Sequence, residues 1–146
     1  MRVRVAGLVV ESEKLLVLVY SYPKGRVYAI PGGRIEPGEF AAQTLVREFR
    51  EELGVEISVG NLRFVGEMQA QENIGQTLHL IFQVSILSGQ PCLNSEETSA
   101  ASFQWVDMDS ISKVALYPDL SPAQWRECQS CGGAQYLGNV MQRGWA

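Results

Sequence analysis

Three glutamates crowd one short stretch, Arg47-Glu48-Phe49-Arg50-Glu51-Glu52. On a helix with Glu48 at zero, Glu51 falls at about −60° and Glu52 at about +40°, so the three carboxylates lie within about 100° of one another. Like charges three and four residues apart repel. Such a trio either tolerates the cost in water or neutralises it with a cation. Oxygen-rich sites suit hard divalent ions such as Mg²⁺, which often pair carboxylates with substrate phosphates. The plainer alternative is a solvated helix face with Arg47 paired to Glu51, since most surface charge is structural.

The helix that must carry these acids is legible from its apolar residues. Ala42, Leu45, Val46, Phe49 and Leu53 recur at helical spacing between Phe40 and Leu53, and Gly54 stands where a C-terminal glycine belongs. Before the helix, Val27–Ile30 reads as a strand that stops at the breaker Pro31-Gly32-Gly33, and Arg34–Glu39 as a polar loop. The Val- and Leu-rich stretches Arg2–Val10 and Lys14–Tyr20 predict a β-hairpin turning at Glu11–Glu13. After the helix, Glu56–Ala70 and Gln76–Leu87 read as strands joined by the polar loop Gln71–Gly75. Ala101–Val106 reads as a further strand, Met108–Val114 as a short helix and Leu120–Cys128 as a second helix. This order predicts an α/β fold, a mixed sheet with helices on its faces. One domain over residues 1–127 is expected, followed by a Gly-rich tail, 128–146, free to move.

The surroundings of the acids form a longer pattern. Gly33 is followed after five residues by Glu39, after seven more by Arg47-Glu48, then by Glu51-Glu52 and by Gly54-Val55. This is G-x5-E-x7-R-E-U-x-E-E-x-G-U, with U apolar and filled by Phe49 and Val55. All nine specified positions match; by chance such a match is on the order of one in ten million for a chain this long. The sequence resembles the Nudix (MutT-like) hydrolase family, and Gly33–Val55 its Nudix box. The flanking strands and the Trp105 strand look similar too, so the resemblance extends from Met1 to about Glu127.

The resemblance implies an α/β/α sandwich with a mixed central sheet, and hydrolysis of a nucleoside diphosphate linked to another moiety, assisted by Mg²⁺ or Mn²⁺. It makes Glu48, Glu51, Glu52 and the Gly32 carbonyl the metal-ligand set. Arg47 resembles the family arginine that orients a neighbouring glutamate. Gly33, Glu39 and Gly54 match supporting positions of the box. The general base has two candidates: Glu97, in the acidic loop Asn94-Ser95-Glu96-Glu97-Thr98 ahead of the Trp105 strand, or Glu48 in the box. The proline that ADP-ribose hydrolases often carry beyond the box, and the tyrosine of diadenosine polyphosphate hydrolases, are both missing. That leaves a nucleoside triphosphate or related nucleotide as the expected substrate. ADP-ribose or nucleotide-sugar pyrophosphatase activity and a non-catalytic nucleotide sensor stand as alternatives. Tyr22 and Tyr28 could stack on a base, and Lys24 and Arg26 could meet phosphates.

Composition narrows the partners. Apolar residues make up 46% of the 146 and charged residues 19%, an ordinary globular balance. Sixteen acidic against twelve basic residues give a net charge of −4 and no basic stripe, so a nucleic acid polymer is not expected. The longest apolar runs are about six residues, far short of the roughly 20 of a membrane span. No signal peptide is recognised and a cytoplasmic protein is expected; the oligomeric state stays open, a homodimer included. Cys128 and Cys131 have half a zinc-knuckle spacing, and with an odd total of three cysteines they read as reduced bystanders. His79, the single histidine, is expected on a sheet surface rather than in acid–base work.

Overall fold

The computed structural model describes residues 1–121, 124 and 133–141. Strands β1 (Arg2–Leu8), β2 (Val10–Glu11), β3 (Lys14–Tyr22), β4 (Gly25–Ala29) and β5 (Gly32–Arg34) lead into helix α1 (Ala41–Leu53). Then follow β6 (Glu56–Met68), β7 (Thr77–Ser88), β8 (Ser102–Asp107), a 3-10 helix (Met108–Lys113), β9 (Leu116–Tyr117) and β10 (Gln135–Asn139). The mixed sheet is present as two sheets. One runs β10-β6-β7-β1-β5; the other runs β2-β3-β4-β9, with β8 also paired to β3. Both combine parallel and antiparallel neighbours, β1 with β7 and β4 with β9 being parallel.

The expected first hairpin is only partly present. Val10 pairs with Leu15 and Glu11 with Lys14, closed by Ser12 and Glu13 in the left-handed region. β1 instead joins the other sheet, between β7 and β5. The reason is burial: residues 5–9 are all buried, and a strand covered on both faces belongs inside a sheet. The expected loop at Arg34 likewise begins with a strand, β5, because Gly32 can approach β1 closely. A Cβ there would stand 1.9 Å from the Val5 carbonyl oxygen. In the tail, Gln135–Asn139 pairs in parallel with β6 despite its weak patterning. Cys128, Cys131 and most of the expected second helix lie outside the described residues.

Helix α1 forms where its periodicity predicts. Leu45, Phe49 and Leu53 are fully buried and pack with Val5, Leu16, Leu18 and Val84 between the sheets. Each such side chain contributes about 1.5–3 kcal/mol of burial. Phe40 N–H donates to Gln43 Oε1 at the N-terminus, and Gly54 closes the other end at φ 66°. A second core, with Ala6, Leu8, Ile30, Phe64, Ile81 and Leu116, occupies the opposite face of β1. The helix is thereby locked in rotation, which decides where its acids point.

Candidate active site

The polar edge of α1 meets β5. Gly33 sits so close to the helix that a Cβ would lie 2.3 Å from Glu48 Oε1. Any other residue would displace that carboxylate, which is the physical reason for glycine at this position.

Arg47 organises the acids around it. Its Nε donates to Glu39 Oε2 at 2.8 Å and its Nη2 to Glu39 Oε1 at 3.0 Å, a bidentate pair. Its Nη1 donates to Glu48 Oε1 at 3.0 Å and to Glu51 Oε2 at 3.3 Å. Glu39 also accepts from the Thr44 hydroxyl and from the Glu36 amide. The Arg47 hydrogen bonds hold the Glu39 carboxyl down at about 2, and the acids in turn hold the guanidinium more firmly protonated. Arg50, one turn away, pairs with Glu56 and takes no part.

Glu52 is the buried member, 6% exposed. Burial first, then the hydrogen-bonded Glu48 carboxyl, pushes its pKa up to about 8, so that it holds its proton more firmly than a free carboxyl. Burial beside a second carboxyl thus favours the neutral form of Glu52 when no cation is bound. Glu51 is more exposed and turned to Arg47. Among the described residues no three His, Cys, Asp or Glu side chains converge as a ready-made cation cage. The donor set is nonetheless hard oxygen, and a divalent cation bound there would favour the charged form of the buried Glu52 carboxyl.

The acidic loop is tied to the end of α1. Cys92 N–H donates to the Leu53 carbonyl at 2.9 Å and Asn94 N–H to the Glu52 carbonyl at 3.0 Å. Glu96 and Glu97 occupy an exposed turn there, with Glu97 N–H donating to the Asn94 carbonyl. Thr98, the next residue, hydrogen-bonds both Glu52 and Tyr20. Neither Thr98 nor Tyr20 is marked in the sequence; only their place beside the acidic loop and in β3 could have hinted at them.

The other candidates divide between the two faces of the β3–β4 hairpin. Tyr22 is exposed and stacks on Tyr20, 6.4 Å between ring centres. Tyr28 is half-buried against the core on the opposite side, beside Leu116. Lys24 and Arg26 are exposed near the hairpin tip. His79 lies on a strand as anticipated, but it is fully buried rather than on a surface.

Two mixed sheets, a carboxylate-bearing helix and a glycine strand packed on its acids define an α/β protein built around one helix edge. The NUDIX domain family model matches residues 1–126. The chain belongs to the Nudix family and is a MutT-like pyrophosphohydrolase. An uncharacterized Nudix hydrolase of Bacillus subtilis is 26% identical over 118 residues, 79% of this chain and 72% of that protein. The ADP-ribose pyrophosphatase of Methanocaldococcus jannaschii is 26% identical over 115 residues, 78% of this chain and 66% of that protein. The CTP pyrophosphohydrolase of Escherichia coli is 44% identical over a shorter 54 residues, 37% of this chain and 38% of that protein. In fold, a NUDIX hydrolase structure from Nitrosomonas europaea superposes with a TM-score of 0.69 at 16% identity, covering 94% of this chain and 77% of the other. No helix among the described residues is long and apolar enough to cross a membrane.

Proposed function

We propose that this chain hydrolyses the pyrophosphate linkage of a nucleoside triphosphate or related small nucleotide with the help of Mg²⁺ or Mn²⁺. The observation that carries this reading is the Glu39–Arg47–Glu48 chain, which holds Glu48 against the buried Glu52 beneath Gly33. Keeping a carboxyl buried beside another is costly for a merely structural helix face. Glu48, Glu51, Glu52 and the Gly32 carbonyl would hold the cation. Bound there, it would neutralise phosphate charge and acidify water.

The chain's own residues supply the rest. Arg47 fixes the Glu48 carboxylate, and Glu39 fixes Arg47. Glu97 is the proposed acceptor of the proton from the attacking water, with Glu48 the alternative. Support for a nucleotide substrate comes from the relatives, whose names include an ADP-ribose pyrophosphatase and a CTP pyrophosphohydrolase. The test is a panel of nucleoside triphosphates, ADP-ribose and nucleotide sugars, assayed for phosphate or pyrophosphate release with Mg²⁺, with Mn²⁺ and with chelator. Release from triphosphates only with a divalent cation is expected. Faster turnover of ADP-ribose or a nucleotide sugar would replace the substrate assignment. Binding without turnover of any member would make the protein a nucleotide sensor.

A further inference from the structure

The acids of α1 are held by different devices. Arg47 directs its hydrogen bonds to Glu39, Glu48 and Glu51. The side chain that reaches Glu52 from outside the helix is Thr98.

Backbone bonds decide where Thr98 stands. Asn94 N–H donates to the Glu52 carbonyl at 3.0 Å, and Thr98 N–H donates back to the Asn94 carbonyl at 3.2 Å. Three residues further on, Ala101 N–H donates to the Val19 carbonyl of β3 at 2.8 Å. Ala100, between them, is buried in the core that α1 shares with β3. The loop is thus fastened to the end of α1 on one side and to β3 on the other. Half-buried Thr98 meets Glu52 of the helix and Tyr20 of the strand. Tyr20 itself packs against the α1 core and stacks on Tyr22.

The direction of these hydrogen bonds follows from counting. A hydroxyl has one hydrogen to give and two lone pairs, and an ionised carboxylate only accepts. A carboxylate must be ionised to ligate a cation. Toward such a Glu52 the Thr98 hydroxyl therefore donates. Its oxygen accepts from Ala100 N–H at 3.2 Å and from the Tyr20 hydroxyl. The chain runs from Tyr20 O–H to Thr98 O–H to Glu52, each hydrogen used once. A turn that merely shaped the loop would need only the Thr98 oxygen and the Ala100 amide. It gives no reason for the hydroxyl hydrogen to end on a buried acid. A donor on a ligating carboxylate, by contrast, fixes its orientation and offsets its loss of water.

We propose that Thr98 is a positioning residue for the metal: its hydroxyl, oriented by Tyr20, holds the Glu52 carboxylate in place for a divalent cation, as Arg47 holds Glu48. This rests on the metal-dependent reading above. It also joins a metal ligand to the turn that carries Glu97, the residue next to Thr98.

The experiment titrates the full chain with Mn²⁺ alone at neutral pH, the free ion being read by electron paramagnetic resonance. The unsubstituted chain should bind the ion, and Glu52→Gln should weaken binding. Thr98→Val keeps the shape without the hydroxyl and should weaken it at least about tenfold, the usual cost of losing an outer-shell partner. Thr98→Ser keeps the hydroxyl and should stay within about threefold of the unsubstituted chain. Tyr20→Phe should fall between the two. An unfolded fraction lowers the amplitude of such a titration, not its midpoint. Unchanged binding in Thr98→Val beside weakened binding in Glu52→Gln overturns the proposal and leaves the metal reading standing. Thr98→Ser as weak as Thr98→Val would reduce Thr98 to packing and also overturns it. Tyr20→Phe equal to the unsubstituted chain overturns the role given to Tyr20. No Mn²⁺ binding at all, or binding indifferent to Glu52→Gln, overturns the proposal and the metal reading together. Thr98-dependent Mn²⁺ binding without turnover of any nucleotide would uphold the positioning role while the hydrolytic reading fails.

Discussion

Glu52 lies buried against Glu48, the carboxylate that Gly33 closely approaches, and the two carboxyls share a hydrogen bond. Two acids so placed cannot both ionise cheaply. The raised pKa of Glu52 means that the folded, metal-free protein retains a proton there which the unfolded chain releases above about pH 4.5. Stability from this group is therefore highest at low pH and declines as pH rises from about 4.5 to about 8. The decline is on the order of a few kcal/mol. Denaturant titrations with chelator across that range should show it. Glu52→Gln should remove the slope and cut turnover at least about a hundredfold. A flat profile in the unsubstituted protein, or full activity in the variant, would remove Glu52 from the proposed role.

The bidentate Glu39–Arg47 pair works in the opposite pH direction. The Glu39 carboxyl is depressed to about 2 by Arg47, so its stabilisation is present above about pH 4.5 and is lost as pH falls toward 2. Glu39→Gln should raise the acid-unfolding midpoint relative to the unsubstituted protein, a shift read by circular dichroism. Arg47→Lys keeps the charge but not the fork that reaches Glu39 and Glu48 together. Its kcat should fall at least about tenfold with KM changed less, because the lost function is positioning. A fall confined to KM would argue for direct substrate contact by Arg47.

Gly33→Ala tests the close approach of strand and helix. The new methyl would meet the carboxylate end of Glu48, a flexible group that can move aside without unfolding the core. Melting temperature should change little while activity drops at least about tenfold. A large loss of stability with unchanged activity per folded molecule would show that backbone, not Glu48, absorbs the methyl.

Legibility in the sequence followed the range of the interactions. The α1 acids and their apolar stripe are local, spaced by the helix itself, so their face is readable from Glu48, Glu51, Glu52 and Phe49 alone. The hairpin at Ser12-Glu13 was visible for the same reason. The partner of β1 was not, since alternation in Arg2–Leu8 is satisfied by β3, β5 or β7 alike. Only register brings Arg4 beside His79, 75 residues away along the chain. The raised pKa of Glu52 was equally invisible, because its first cause is how deeply this part of α1 is buried. Gly33 was recognisable as part of a pattern, but its physical reason appears only with the Glu48 contact.

The acidic loop gives the last prediction. Backbone bonds from Cys92 and Asn94 fasten it to the end of α1, and Thr98 reaches Glu52. Glu97 is one residue from that contact, in an exposed turn from which a carboxylate can swing. A general base must come within hydrogen-bond reach of the water it deprotonates, and apo geometry is commonly looser than that. Glu97→Gln should therefore lower kcat at least about a hundredfold while KM and metal affinity stay nearly intact. It should also flatten the acidic limb of the pH–rate profile, where protonation of the base slows the reaction. Glu96→Gln, a neighbouring exposed acid, should lose less than about threefold. If the two exchange behaviour, the loop acts through Glu96. Thr98→Val provides a separate reading: it leaves both carboxylates in place but removes the hydroxyl beside Glu52, so the metal-free stability profile should shift even where kcat does not. If neither loop acid costs a hundredfold, the base belongs to the helix, and Glu48→Gln, measured at saturating metal, becomes the deciding variant.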